Sequence, residues 1–425
     1  MLDITYIREN TDAVKQGMIH KGEKDTSLVD QALVLDAKWR DGVTRLDRSR
    51  SELNQISGQV GAMMKSGRKE EAQTLIQQTQ TLKEEIKELD KSVPELRNEL
   101  DQVLYQIPNV PDPSVPVGST PDDNVIHSEW GSPRHEDHLK PHWELAEQNH
   151  WLDFQRGVKV AGAGFPFYVG EMARLQRSLI SFFLDSAVDA GYTELQAPLF
   201  VNEDSARGTG QIPDKEDMMY VIPKDGFFAI PTAEVPVTNF HRDEILEIDQ
   251  LPVFYAAHTP CWRREAGSYG KDVKGLNRLH QFDKVELVKM VHPDQSDEEL
   301  ESLREHAESL LKALKIPFRT LLMCTGDMGF TQTKKYDLEV WSSGQKRWLE
   351  VSSCSNFGSF QARRMKLRYR TESGKTEMLH TLNGSGLALP RVMAALLEQY
   401  QRPDGRVDVP EVLKSRMGTD IIGSV

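Results

Sequence analysis

The stretch CWRREAGSYGKDVKGLNRLHQFDKVEL, residues 261–287, decides how the rest of the chain is read. Two short alternating segments flank a loop rich in glycine and lysine. Successive side chains on a strand point to opposite faces, so every second residue shares one. On that rule Arg263 and Glu265 share a face of the first segment, and Phe282, Lys284 and Glu286 share a face of the second. A guanidinium, two carboxylates and an aromatic plate on one sheet surface call for a ligand that uses all of them.

Working outward, helical segments (GEMARLQRSLISFFLDSAVDAG, SDEELESLREHAESLLKALK, LPRVMAALLEQYQ) alternate with strand-like ones (PVFYAAHTPCWRRE, FRTLLMCTG, KYDLEVWS, KRWLEVSSCS, QARRMKLRYR). Several strands follow one another through short turns such as SSGQK and TESGKT. That order favours an α+β fold, an antiparallel sheet flanked by helices, over a doubly wound parallel sheet.

The N-terminal part is different. Residues 28–104 read as two long helices joined by a polar turn within GAMMKSGRKEE, an antiparallel coiled-coil arm projecting from a body. The second helix has an unbroken three–four spacing: Ala72, Leu75, Thr79, Leu82, Ile86, Leu89, Val93, Leu96, Leu100 and Val103. The first is weaker: Trp39, Val43, Leu46, Leu53, Val60 and Met64 fit, while Arg50 and Ser57 interrupt. Each helix should run roughly 50 Å at about 1.5 Å per residue. Pro94, with Ser92 and Glu95 at capping-box spacing, predicts a kink or restart. Such a hairpin serves either dimerisation or contact with an extended ligand, through Arg45, Arg48, Arg50, Lys65, Arg68 and Lys69. A proline-rich segment, 107–125, separates an N-terminal domain, 1–106, from a larger one, 126–425.

The chain has 425 residues and a formal net charge of −13. Residues 21–100 hold 14 Lys+Arg against 15 Asp+Glu, so about −12 lies elsewhere and a local basic track stays open. No apolar run is long enough for a membrane span, and the N-terminus lacks a signal-peptide core. Three scattered cysteines, Cys261, Cys324 and Cys354, suit a reducing compartment, so a cytoplasmic protein is expected. Gly374, Lys375 and Thr376 imitate the end of a P-loop, but Tyr369 stands where its first glycine belongs, so a hairpin turn is expected there. His135, His138 and His142 offer either a metal cluster or a surface segment. Arg364, Lys366, Arg368 and Arg370 should alternate along one strand face, solvated or touching a partner.

Companions to the opening stretch complete a pattern. Thr232 and Glu234 lie two apart in PTAEVP, Glu350 and Ser353 open and close EVSS, and GSGLALPR places Pro390 and Arg391 in a first helical turn. With SAVDAGYTELQAPLF, ending near Pro198, these resemble the three motifs of class II aminoacyl-tRNA synthetases. With the arm, the whole length resembles a seryl-tRNA synthetase of the bacterial type.

The resemblance implies activation of L-serine by ATP with Mg2+, without zinc, then transfer to the 3′ end of tRNA(Ser). Family members also charge tRNA(Sec). It implies a homodimer built through the Pro198 motif and an arm that grips tRNA. It assigns ATP binding to Arg263, Arg264, Glu265, Phe282, Glu350, Val351, Ser352, Ser353 and Arg391, with Mg2+ near Glu350 and Ser353. Serine binding falls to Thr232, Ala233, Glu234, Arg263, Glu286 and Ser385, and catalysis to Arg263, Glu265 and Arg391. Arg264 stands where the family more usually has a small polar residue, and Trp262 where a Phe is common. Glu350 and Ser353 do not share parity on an ideal strand, so a bulge or a backbone contact is required between them. Two rivals remain: a relative that charges a carrier protein, which would lack the arm, and a scaffold that only kept the fold.

Overall fold

The computed structural model describes residues 1–214, 217–265 and 274–424. The middle of the opening stretch, 266–273, lies outside the described residues. Two compact units are present. The first comprises residues 1–19 and 23–108, the second 20–22 and 109–424 of the described chain.

In the first unit, short helices Ile4–Glu9 and Thr11–His20 precede α1 (Ser27–Lys65) and α2 (Lys69–Leu104), which pack as a hairpin. Their 39 and 36 residues correspond to roughly 58 and 54 Å at about 1.5 Å per residue. The α1 seam runs one residue earlier than its apolar letters suggest. Gly42, Ser49 and Ile56 are buried, in place of Val43, Arg50 and Ser57. The three–four spacing is thereby continuous. At Gly42 a Cβ would lie 3.0 Å from Val93 Cγ2, a tight contact that Val93 would have to yield to, and Ser49 Oγ donates to Glu85 Oε2 at 3.2 Å. Arg50, displaced to the flank, reaches Asp90 at 2.7 Å, as Arg45 reaches Glu85 at 2.9 Å. Helix α2 continues through Pro94, which removes the restart and leaves the kink as the other expectation there.

The second unit is built on an eight-stranded sheet. Its strands are β1 (Val125–Trp130), β2 (Thr193–Glu194), β3 (Val253–Trp262), β4 (Gln281–Val291), β5 (Phe318–Leu322), β6 (Lys334–Ser342), β7 (Arg347–Asn356) and β8 (His380–Ala388). The order is β1-β5-β6-β7-β8-β4-β3-β2, antiparallel except for the β2–β3 pair. Helices α3 (His142–Gln148), α4 (Glu171–Asp189), α5 (Glu234–Thr238), α6 (Ser296–Ala313), α7 (Phe360–Met365) and α8 (Leu389–Tyr400) complete the elements that matter below. Leu175, Leu179 and Phe183 of α4, Leu300 and Leu303 of α6, and Val392 and Leu396 of α8 form one core with Val285, Leu287, Leu338, Val340 and Leu382. A one-residue slip of β4 would turn Val285 and Leu287 out of that core, at about 1.5–3 kcal/mol each, so its register is firmly set.

The proline-rich segment is not a loose tether. Asn109 Nδ2 donates to the Thr331 and Phe357 carbonyls, Asp112 N–H to Thr333, and Gly326 N–H to Gly118. The basic alternation is also redistributed. Arg364 ends up buried in α7, Lys366 turns left-handed at φ 53°, and only Arg368 and Arg370 lie on a strand, Arg368–Arg370. The turn after it closes a hairpin onto Thr376–Met378, as the TESGKT reading requires. Leu100, fully buried in the helical hairpin, gives a stability test: Leu100→Ala should cost about 2–5 kcal/mol, read as a lower urea midpoint by circular dichroism.

Candidate active site

The face of the sheet opposite the helical core is divided: Val288 and Met290 of β4 pack there in a second apolar cluster with Leu246, Leu367 and Tyr369, and the earlier part of the strand opens on a polar hollow. Alternation along β4 divides the strand: Val285 and Leu287 enter the core, while Phe282, Lys284 and Glu286 line a cavity of about 510 Å³. The same hollow is lined by Thr232, Glu234, Arg263, Glu265, Glu350, Val351, Ser352, Ser353, Ser385 and Arg391. Residues from six separate segments thus meet at one surface. Two expected side chains do not reach it. Ala233 is buried, and exposed Arg264 turns to Asp217 at 3.2 Å with its N–H given to Met218 O.

Local geometry departs from simple alternation at two places. Strand β3 stops at Trp262, and Glu265 adopts φ 51°, a left-handed conformation that is strained for a non-glycine residue. Glu265 meets Arg263 at the cavity through this turn rather than on a strand face, and it pairs with Arg278. Thr232 and Glu234 are not extended either. Ala233 sits at φ −64°, ψ −17°, α5 begins at Glu234, and Thr232 Oγ1 accepts the Glu234 N–H at 3.2 Å.

The bulge required between Glu350 and Ser353 is present. Leu338 pairs with Ser352 but Glu339 with Glu350, which leaves Val351 as the extra residue of β7. Glu350 and Ser353 therefore emerge on one face, with Ser353 Oγ 3.2 Å from Glu350 Oε1 and donating to Asp337 Oδ1 at 2.7 Å. Lys335 holds the other Asp337 oxygen at 2.9 Å. Burial raises Asp337 above the usual carboxylate range. Burial acts the same way on Glu350, but Lys335, Arg391 and Arg263 outweigh it and keep that group ionised.

Arg391 lies in the first turn of α8 behind Pro390, as expected. Its Nε donates to Asn277 O at 3.0 Å and its Nη1 to Glu350 O at 2.9 Å. Arg263 is aimed by a bond from Nε to Pro231 O at 3.2 Å, and its Cζ lies 5.2 Å from the Phe282 ring centre, within cation–π range. Two cations and a ring plate are thus preset in the hollow. Asn383 Nδ2 donates to Glu286 Oε1 at 3.1 Å and Gln361 Nε2 to Glu234 Oε1 at 2.6 Å. Burial, reinforced by the Glu286 charge, pushes Glu234 up to about 7. Burial raises Glu286 as well, against the pull of Lys284 and Arg263.

Asn383 and Lys335 were not singled out by sequence. Asn383 shares parity with Ser385, and Lys335 with Asp337, so strand alternation held a signal for both. His142 is neither a metal ligand nor a surface residue. It is fully buried, its Nδ1 pairs with Glu398 at 2.9 Å, and its Nε2 accepts the Leu276 N–H at 2.8 Å beside Asn277 and Arg391. No cluster of three or more His, Cys, Asp or Glu side chains suited to a metal occurs among the described residues.

The antiparallel-dominated sheet with its flanking helices is that of a class II aminoacyl-tRNA synthetase core. Residues 221–400 match the family model described as tRNA synthetase class II core domain (G, H, P, S and T), and residues 1–111 match the seryl-tRNA synthetase N-terminal domain. Over 426 residues the chain is 55% identical to the serine–tRNA ligase of Salinibacter ruber, with 100% of both chains covered. The seryl-tRNA synthetase of Pyrococcus horikoshii, solved with ATP, superposes with a TM-score of 0.94 at 37% identity, with 100% of each chain covered. The cytoplasmic serine-tRNA ligase of Naegleria fowleri, solved with AMP, gives 0.89 at 27%, covering 100% of this chain and 99% of that one. The chain belongs to the seryl-tRNA synthetase family.

The raised Glu234 carboxyl has a measurable consequence. A protonated carboxyl cannot balance an ammonium group, so kcat/KM for an amine substrate should fall as pH drops below about 7, read from a pH–rate profile.

Proposed function

We propose that the chain activates L-serine with ATP and then transfers it to the 3′ end of tRNA(Ser). In the first step a serine carboxylate oxygen bonds to the α-phosphorus while the bond to the leaving pyrophosphate breaks. In the second the terminal ribose hydroxyl attacks the acyl carbon and AMP departs. Neither step needs a covalent enzyme intermediate, so the protein's contribution is positioning and fixed charge.

The observation that carries this reading is the single hollow uniting Arg263, Phe282, Glu286 and Arg391. Arg263 serves the serine carboxylate and the α-phosphate, and Arg391 the γ-phosphate. Phe282 offers a ring plate for adenine, with Glu265 close by to accept from its amino group. The ammonium and hydroxyl of serine fall to Thr232, Glu234, Glu286 and Ser385. A pocket that bonds a hydroxyl rejects alanine, because its own buried polar groups would be left unpaired. The oxygens of Glu350 and Ser353 are hard donors, and two of them suit a Mg2+ that is otherwise coordinated by phosphate and water. Bound there, the ion would neutralise phosphate charge.

The helical hairpin is assigned to the tRNA, with Arg48, Lys65 and Lys69 as exposed cations along it. A homodimer through the segment around Pro198 is supported by the exposed apolar side chains of Val188 and Phe200. The three cysteines are free and buried, which fits work in the cytoplasm; no helix among the described residues is long and apolar enough to cross a membrane.

Pyrophosphate exchange into ATP should occur with serine and not with alanine or threonine, and Arg263→Ala should slow it about 10²–10³-fold. Equal exchange with all three amino acids would refute the pocket assignment. Deleting residues 35–95 should leave a dimer by sedimentation that still exchanges pyrophosphate but no longer charges tRNA. Unimpaired charging would refute the role given to the hairpin.

A further inference from the structure

Lys284 stands on the cavity face of β4 between Phe282 and Glu286, and nothing above gives it a role in the reaction. Lysine is almost never fully buried unless paired, yet this one is 6% exposed. Its Nζ donates to Thr232 Oγ1 at 2.9 Å and forms a close ion pair with Glu286. Both partners are acceptors assigned to the amino acid. The floor of the hollow therefore carries two carboxylates, Glu234 and Glu286, and two cations, Lys284 and Arg263. With both carboxylates ionised that set is electrically balanced, and a zwitterionic amino acid leaves it balanced. Loss of one cation would leave excess buried negative charge, which a carboxyl relieves by holding a proton.

We propose that Lys284 is a positioning residue for amino acid activation, whose ammonium aligns Thr232 and Glu286 and supplies the counter-charge that keeps the two carboxylates available as acceptors. The proposal rests on the reading of this hollow as a serine site. Lys284 acts through its neighbours and does not touch the reacting atoms. The groups facing it are Glu286 on its own strand, Thr259 and the buried Cys261 thiol on β3, Glu234 and Thr232 at the start of α5, Arg263, and Ala388 on β8. Burial raises both Glu234 and Glu286, while Lys284 and Arg263 pull both down. Removing Lys284 should therefore let the pair keep its proton to higher pH.

Serine-dependent pyrophosphate exchange by the full-length protein, followed from about pH 6 to about pH 9, tests this with Lys284→Met, Lys284→Gln and Lys284→Arg. The two neutral variants should raise the serine KM about tenfold or more at neutral pH and displace the acidic limb of kcat/KM upward by about one pH unit. Their ATP KM should stay within about twofold of the parent, and the serine KM should recover toward high pH. Lys284→Arg should keep the parental limb. An unchanged serine KM overturns the proposal, as does a rise that is equal at every pH, the mark of lost packing alone. Loss of folding in both neutral variants by circular dichroism would make Lys284 a stability element and overturn it too. Parent enzyme without serine-dependent exchange would overturn the serine reading itself, and this proposal with it; the variants fail separately.

Discussion

The two-faced alternation of β4 is the constraint on which the rest depends. Its odd residues, Val285 and Leu287, are fixed by a core built from three helices, and its even residues are thereby committed to the opposite side. The strand lies inside the sheet, between β3 and β8, so the commitment spreads laterally. Glu286 is held opposite Ser385 on one side and Ala257 on the other. Apolar packing on one face thus determines where polar chemistry stands on the other, without any polar residue having to find its own place.

Charge is the second organising principle. Several ionisable groups crowd a small volume, and burial alone would neutralise most of them. Instead they alternate in sign: Arg263 near Glu234 and Glu286, and Lys335 against Asp337 and Glu350. Fixed charges of this kind need little reorganisation when a polyphosphate or a zwitterion arrives, which is where preset electrostatics is most effective. The backbone contributes as well, since the Pro231, Asn277 and Glu350 carbonyls aim the two arginines.

Much of this was legible in the letters. The antiparallel sheet, the cavity face of β4 and the helical hairpin follow from period-two and three–four spacing, while the bulge beside Glu350 is one of two alternatives once the family resemblance pairs Glu350 with Ser353. What failed did so for identifiable reasons. Gly42 and Ser49 carry no hydrophobic signal, so the α1 seam is read one residue late. Strand β3 ends at Trp262, where the Arg264 N–H goes to the distant Met218 carbonyl, and PTAEVP turns at Ala233, where the Glu234 N–H bonds Thr232 Oγ1 and the Val235 N–H the Thr232 carbonyl in place of a strand partner. His142 finds Glu398, 256 positions away, and no local rule could anticipate that partner. Arg364 looks like surface charge, yet its guanidinium donates to the Arg207 and Ile212 carbonyls from a buried position.

The extra residue at Val351 has a meaning for how this segment can vary. On a regular strand the carboxylate at 350 and the hydroxyl at 353 would diverge to opposite sides, and no rotamer could reunite them. With it, their separation is written into chain length rather than into side-chain identity. Losing the codon for Val351 alone would set the two residues two apart, the spacing at which a regular strand also keeps them on one face, so the oxygen pair depends on the count of residues between its members and not on the identity of the extra one.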